Sequence, residues 1–177
     1  MSTIPRVSSA IKGEPAHFGS VLAHQPAIAA RFSELYGAFW DSDVLSARLK
    51  EVARMRNARV TECGFCRNVR FDKALGQGLG EAIVDDIDWG YETSDKLTLA
   101  EKAVLKFTDA LIHDHELLTG DAEAALKRHL SPEQIAELGL GLTLFLALAK
   151  ALITMGLEPE VMERTVLPTP APTEQPA

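Results

Sequence analysis

The sequence has little positive charge and few aromatic side chains, and both shortages limit the partners it can have. Lys and Arg together number 18 against 25 Asp and Glu, so the net charge is −7, and aromatic residues make up 6% of the chain. No stretch combines basic and aromatic residues as nucleic-acid-binding surfaces do. No polybasic cluster of the kind that binds anionic membranes is present either. We therefore expect no nucleic acid and no membrane among its partners.

An apolar leader and a clean membrane span are also missing. The first twenty residues, MSTIPRVSSAIKGEPAHFGS, contain no apolar core of the length that a secretory leader needs. This favours a cytoplasmic location, where thiols stay reduced. One long apolar stretch runs from Leu138 to Leu157, but Lys150 interrupts it, and a span needs about 20 apolar residues. We interpret it as a buried helix that a second subunit helps to cover.

Strand signals are absent as well. We find no alternating apolar run and no hairpin dipeptide between apolar runs, whereas apolar residues recur at helical spacing through the middle of the chain. Capping-box patterns start two helices, at Thr98 with Glu101 and at Ser131 with Gln134. Thr61 is a candidate cap for another helix, which contains both cysteines. The predicted fold class is all-α, a compact helical domain of about six to eight helices that assembles into a homo-oligomer.

The 177 residues are enough for one domain with a sizeable core. We predict an irregular N-terminal arm over residues 1–24, a single all-helical domain over residues 25–166, and a disordered tail over residues 167–177, where the sequence is polar and rich in proline. The domain should begin with a helix at Pro26. Its apolar face is predicted to consist of Ile28, Phe32, Leu35 and Phe39.

Cysteine is nearly absent, and the two that exist stand three residues apart in TECGFCRNVR. Cys63 and Cys66 have three interpretations. In the first they are two small buried apolar side chains. In the second they are part of a zinc site, although no histidine lies nearby in the sequence. In the third they are a redox-active dithiol. We favour the dithiol, because cysteines one helical turn apart lie within disulfide reach. A helix starting at Thr61 would also place Cys63 in its first turn, where a thiolate is favoured.

Glu51, followed twelve residues later by Cys63 and then Cys66, resembles the alkylhydroperoxidase D-type branch of the carboxymuconolactone decarboxylase-like family. The resemblance spans about Pro26 to Glu160. It includes the stretches LYGAFWDSDVLSARLKEVARMR, LTLAEKAVLKFTDAL and AKALITMGLEPE. The family implies an all-helical protomer that assembles into trimers or hexamers. We assign no cofactor and no metal to this chain.

The resemblance also implies a function, the reduction of hydroperoxides by thiols. In the thiol members one cysteine attacks the peroxide and becomes a sulfenic acid, and the other resolves it as a disulfide. An external dithiol reductant, thioredoxin-like or a lipoyl carrier, then resets the pair. Carried over to this chain, Cys66 attacks, Cys63 resolves, and Glu51 is the far end of a proton relay.

The chain departs from the family pattern at Arg70, where a histidine would stand four residues after the second cysteine. Histidine can take and return a proton near neutral pH, whereas arginine stays protonated. Arg70 can stabilise a Cys66 thiolate from the next turn of one helix, or it can pair with Glu51 and hold two helices together. We expect weakened peroxide turnover.

Two other functions stay open. One is a non-catalytic oligomeric scaffold or a redox sensor with the same fold. The other is a carboxymuconolactone decarboxylase-like enzyme with a non-redox substrate, although the decarboxylase members lack the cysteine pair.

Overall fold

Helices dominate the chain, as the apolar spacing and the caps predicted. The structure is a computed structural model and describes residues 3–88 and 90–172. Within these ranges there are nine α-helices and two short strands. The helices are α1 (Phe18–Leu22), α2 (Pro26–Asp41), α3 (Ala47–Val60), α4 (Gly64–Asn68), α5 (Asp72–Gly76), α6 (Glu81–Val84), α7 (Leu99–Ile112), α8 (Asp121–His129) and α9 (Pro132–Thr154). The strands are β1 (Val69–Phe71) and β2 (Thr165–Leu167). The all-α prediction is confirmed.

The two predicted capping boxes are confirmed at the starts of α7 and α9. Thr98 caps α7, because its hydroxyl accepts the Glu101 N–H at 3.2 Å while the Glu101 carboxylate accepts the Thr98 N–H at 2.8 Å. Ser131 and Gln134 make the same exchange at the start of α9. Each exchange satisfies two N–H groups that a helix start leaves without a partner.

Helix α3 lies at the centre of the fold, packed against α7, α9, α4 and α5, although much of its sequence is polar. Such a helix can be buried only if its charges are paired. Lys50 pairs with Glu137 at 2.7 Å, and Arg56 pairs with Asp109 at 2.6 Å. The buried polar residues of α3 are Lys50, Glu51, Arg54, Arg56 and Asn57. The centre of the protein is therefore built from ion pairs as well as from apolar packing.

The buried face of α2 differs from the predicted one. Phe39 is buried, but Ile28 is 68% exposed and Leu35 is 56% exposed. Only the second half of α2 packs into the core, where the Trp40 ring lies 4.8 Å from the Phe71 ring, centroid to centroid. Periodicity identified the helix, but it could not show that the core covers only one of its ends.

Helix α9 is apolar on more sides than this chain covers. Among the described residues it is the one helix long and apolar enough to cross a membrane, with a mean hydropathy of 1.8, and 33% of that window is buried. Its core face consists of Leu138, Gly141, Leu142, Phe145, Ala149 and Leu152. On another face Leu140 is 68% exposed. Part of α9 is therefore core helix, and part is an apolar surface.

The two strands were not predicted. β1 and β2 pair in parallel, with Val69 opposite Thr165 and Phe71 opposite Leu167. Three residues are too few for an alternating pattern to stand out, and the pairing joins segments that are far apart in the sequence. The pairing attaches the C-terminal segment to the strand that follows the cysteine helix.

The chain ends also differ from the predicted arm and tail. Helix α1 lies inside the arm that was predicted to be irregular, and Leu167, the first residue of the predicted tail, belongs to β2. Beyond it, the Asp72 carboxylate accepts hydrogen bonds from the Thr169 N–H at 2.8 Å and the Thr169 hydroxyl at 2.7 Å. These donors hold the pKa of Asp72 below its usual value. Leu167 and Thr169 of the predicted tail are thus bonded to the domain, and residues 173–177 lie outside the described residues.

Thr169→Val should loosen this C-terminal segment, because it removes the hydroxyl that Asp72 binds. We expect lower amide hydrogen-exchange protection over residues 165–172 and unchanged protection in α3. Protection should also fall in the unmodified protein as the pH drops through the lowered pKa of Asp72, since the ionised carboxyl stabilises the fold only above it. Thr165→Val is the matched control, because that hydroxyl donates only to the nearby Glu163 carbonyl. Equal protection in both variants would contradict the role of the Asp72 contact.

Candidate active site

The segment that carries the cysteines begins with a turn that the sequence did not predict. Helix α3 ends at Val60, and Thr61 is its C-terminal cap rather than the start of the next helix. Glu62 then adopts a left-handed conformation, with φ at 57°, which reverses the chain and which few residues other than glycine adopt. Helix α4 starts only after Cys63, whose Sγ accepts the Cys66 N–H at 3.2 Å. Cys63 is therefore the N-cap of α4 and not part of its first turn.

Cys63 and Cys66 are joined as a disulfide within the chain, with their Cα atoms 5.3 Å apart. Their surroundings are unequal. Cys63 is completely buried, whereas Cys66 is partly exposed and lines a cavity. A molecule that enters the cavity can reach Cys66 but not Cys63.

The cavity beside Cys66 has a volume of about 520 Å³, which is large enough for a small organic molecule. Its walls are mostly aromatic and aliphatic side chains from α1, α2, β1, α9 and the segment after β2. Apart from Cys66, the polar side chains that line it are Ser33, Tyr36, Arg54 and Asn57. The site is therefore an apolar chamber with a sulfur atom and a few polar groups in its wall.

Glu51 forms a two-pronged ion pair with Arg54, one turn further along α3. Both nitrogen–oxygen distances are 2.7 Å, and both side chains are buried. Burial alone would lower the pKa of Arg54, but the Glu51 carboxylate raises it, so the guanidinium stays charged. Arg54 also donates to the carbonyl oxygens of Cys66 at 2.9 Å and Val69 at 2.6 Å. Arg54 was not among the predicted site residues, although its i,i+3 spacing from Glu51 is a signal for such a pair.

Arg70 pairs with Glu81 and not with Glu51. It lies on β1, 4% exposed, and its Nε and Nη2 atoms donate to Glu81 at 2.8 and 3.1 Å. Its Nη1 donates to the Arg67 carbonyl at 2.7 Å. One of the two alternatives for Arg70, the pairing with Glu51, is not observed, because Arg54 occupies that carboxylate. The expected placement one helical turn from Cys66 also fails, because α4 ends at Asn68.

A further buried carboxylate lies next to the cysteine pair. Glu158 follows α9, is 3% exposed, and accepts the N–H of Gly64 at 2.6 Å. Gly64 is the residue directly after Cys63, so Glu158 holds the start of α4. Sequence reasoning included Glu158 in a stretch of family resemblance but assigned it no role.

Comparison with known proteins finds partial sequence matches and whole-fold likeness. No family model matches the chain. Two proteins of Mycobacterium tuberculosis, the uncharacterized proteins MT2376 and Rv2313c, are each 31% identical to it over 88 residues. The match covers 50% of this chain and 31% of each relative, so the aligned part is less than a third of those proteins.

Two solved structures resemble most of the fold. A protein of unknown function from Agrobacterium tumefaciens, ATU0492, which has been linked by name to the antioxidant defence protein AhpD, has a TM-score of 0.63 and 20% identity over 78% of this chain and 93% of its own. An uncharacterized peroxidase-related protein from Ralstonia eutropha, described as an alkylhydroperoxidase AhpD core, has a TM-score of 0.67 and 17% identity over 80% of this chain and 75% of its own.

This chain has the alkylhydroperoxidase-like fold. At these identities the likeness concerns the backbone, so activity has to be argued from the side chains. In this fold Glu51 is linked through Arg54 to the backbone carbonyl of Cys66, whereas Arg70 makes a separate contact with Glu81. Three of the four predicted site residues are therefore linked to the cavity, and Arg70 does not line it.

Arg70→Ala should lower the free energy of unfolding by about 2 kcal/mol. This is less than the 3–5 kcal/mol lost when a fully buried pair is broken, because the Glu81 side chain is 34% exposed. The pH dependence of Cys66 alkylation in the reduced protein should change little, since Arg70 bonds to Glu81. Urea unfolding and alkylation rates measure the two effects. Arg67→Ala, at an exposed arginine, is the control and should have little effect on stability.

A large upward shift in the pH at which Cys66 reacts, with stability unchanged, would contradict this structural role. Arg70 would then act on the Cys66 thiolate directly.

Proposed function

We propose that the protein belongs to the alkylhydroperoxidase branch of the carboxymuconolactone decarboxylase-like family and reduces hydroperoxides through Cys63 and Cys66. The unequal exposure of the two cysteines carries the proposal. Cys66 lines an apolar cavity, and Cys63 is buried at disulfide distance from it. An attacking cysteine must be reached by substrate, whereas a resolving cysteine needs only to reach its partner.

The proposed cycle begins with both cysteines reduced. The Cys66 thiolate attacks the outer oxygen of a hydroperoxide, so the O–O bond breaks, a sulfenic acid forms on Cys66, and the remaining alkoxide takes up a proton and leaves as an alcohol. Cys63 then attacks the sulfenic sulfur, which forms the disulfide and releases water. An external dithiol, thioredoxin-like or a lipoyl carrier, returns two electrons and two protons and restores both thiols.

Glu51 and Arg54 serve this cycle as a positioning pair. Because Arg54 donates to the Cys66 carbonyl, the ion pair holds the end of α4 against α3. Both carboxylate oxygens of Glu51 already accept hydrogen bonds from Arg54. The further role of Glu51 at the far end of a proton relay stays a prediction.

A second candidate function is a redox sensor, and Arg70 favours it. The family places at this position a histidine that can shuttle protons, whereas Arg70 is protonated and bound to Glu81. A dithiol that is oxidised readily but reset slowly would report peroxide rather than remove it.

Thiol counting separates the two candidates. The reduced protein receives one equivalent of cumene hydroperoxide, and turnover is then followed with dithiothreitol or dihydrolipoamide. We expect both thiols to be lost and turnover to follow. Loss of both thiols without turnover would favour the sensor, and no loss of thiols would contradict both functions.

The cysteine variants test which sulfur attacks. Cys63→Ser should form a Cys66 sulfenic acid that dimedone traps, because no resolving thiol remains. Cys66→Ser should give no sulfenic acid, because Cys63 is buried. A sulfenic acid on Cys63 would reverse the assigned roles.

We also propose that the chain forms a homo-oligomer, a trimer or a hexamer, in the cytoplasm. Exposed apolar side chains on α2 and α9 support self-association, namely Ile28, Leu35 and Leu140. The cytoplasm suits the cycle because its thiol systems keep a dithiol reduced.

Leu140→Glu should lower the assembly state, because a charge at the centre of an apolar interface is strongly disfavoured. Light scattering on the purified protein measures the mass, and the unmodified chain should exceed the 19.2 kDa of one copy. Leu99→Glu is the control, since Leu99 is 67% exposed but lies at the start of α7. A mass near 19.2 kDa for the unmodified protein would refute the oligomer.

A further inference from the structure

One wall of the Cys66 cavity is a single layer of chain. It is formed by the C-terminal segment, residues 165–172, which contributes the lining residues Leu167, Pro168, Pro170 and Ala171. The outer side of this segment faces solvent, where Val166 is 56% exposed. Pro168 lines the cavity and is exposed as well. On this side, the thickness of one extended chain separates the cavity from solvent.

The sequence explains why the segment has few backbone attachments. Pro168 follows β2 directly and has no N–H with which to continue the pairing to β1. Thr169, between two prolines, supplies both donors to Asp72, its N–H at 2.8 Å and its hydroxyl at 2.7 Å. The same hydroxyl accepts the Lys73 N–H at 3.1 Å. Beyond β2 the segment is therefore anchored through one residue, Thr169, at the start of α5.

The contact just before the segment is also polar and near the surface. Arg164 pairs with Glu81 at 2.9 Å, and the two side chains are 53% and 34% exposed. Hydrogen bonds and exposed ion pairs of this kind each contribute little net stability. A segment held by a few such contacts can open locally while the helices stay folded.

A close approach to α2 fixes the position of the far end of the segment. Gly37 lies in α2 and is buried. A β-carbon at this position would lie 2.6 Å from the carbonyl carbon of Ala171 and 2.7 Å from the nitrogen of Pro172. The segment can lie against α2 because residue 37 has no side chain, so any side chain there must push the segment outward.

We infer that the C-terminal segment is a lid that limits the size of the molecules that reach Cys66. With the lid in place, reaction at Cys66 is confined to molecules that fit a cavity of about 520 Å³. When Thr169 leaves Asp72, the single layer of chain moves outward and larger molecules reach the sulfur. The lid acts on access alone. The inference therefore goes beyond the proposed reaction and does not depend on what Cys66 reacts with.

Two maleimides that share a reactive group but differ in size measure the state of the lid. N-ethylmaleimide is small enough to enter the cavity, whereas a maleimide attached directly to β-cyclodextrin, a rigid and uncharged sugar ring, is too large. All proteins carry Cys63→Ser, which leaves Cys66 as the only thiol and keeps a side chain that can cap α4. The ratio of the two alkylation rates cancels any change in the reactivity of the thiol itself.

Two variants release the lid at different points. Gly37→Ala displaces Ala171 with the added methyl group, while alanine suits the interior of α2 better than glycine. Thr169→Val removes the hydroxyl that Asp72 binds. We expect each variant to raise the ratio of the bulky to the small alkylation rate about tenfold, the change in an opening equilibrium when about one net hydrogen bond is lost.

Each variant has a matched control. Gly139→Ala makes the same change inside α9, where a β-carbon would meet Phe107 at an ordinary 3.9 Å. Thr165→Val removes a hydroxyl that donates to the Glu163 carbonyl and not to Asp72. Neither control should change the ratio of the two rates.

A higher ratio in both lid variants and in neither control supports the lid. An unchanged ratio in either lid variant overturns it, because release at either point must expose the same sulfur. An equal rise in a control also overturns it, since general loosening of the fold would then explain the result. If Gly37→Ala does not fold, Asp72→Ala takes its place, because it removes the carboxylate that Thr169 binds. The measurement involves no peroxide, so the lid can stand where hydroperoxide turnover fails, and can fail where turnover is found.

Discussion

The position of the cysteine pair depends on one buried ion pair, between Glu51 and Arg54. Two charges in a helical core are tolerated only when they meet, and removing one leaves the other buried without a partner. Here the pair also makes a connection, because Arg54 reaches the carbonyl oxygens of Cys66 and Val69. It therefore joins α3 to the end of α4 and the start of β1. The reactive segment is held between this contact and the left-handed turn at Glu62.

The same contact determines the partner of Arg70, which stands where a histidine was expected. With the Glu51 carboxylate already bound by Arg54, Arg70 is available to join β1 to α6 through Glu81. Proton transfer and structural support place opposite demands on a side chain, because a group that titrates near neutral pH is a poor permanent ion-pair partner. In this chain the residue at position 70, Arg70, is a structural ion-pair partner.

The cavity is built from segments that lie far apart in the sequence. Cys66 comes from α4, and Arg54 and Asn57 come from α3. Part of the wall comes from outside residues 26–160, from Phe18 in α1 and from Leu167 and Pro168 in the C-terminal segment. The parallel pairing of β1 with β2 brings that segment to the cysteines. The shape of the cavity therefore depends on α1 and the C-terminal segment as well as on the helices that carry Cys66 and Arg54.

The sequence by itself determined the helices, two of their capped starts, and the identity of the cysteine pair, because caps and apolar spacing act over three or four residues and can be read locally. The i,i+3 relation of Glu51 to Arg54 was readable in the same way. Only the tertiary structure decided that Thr61 ends a helix, that Arg70 turns to Glu81, and that part of the C-terminal segment, from Leu167 to Ala171, lines the cavity. Each of these depends on which distant segments are brought together. The exposure of Cys66 and the burial of Cys63 are likewise properties of packing, since solvent access is set by neighbours from several helices and not by the residues themselves.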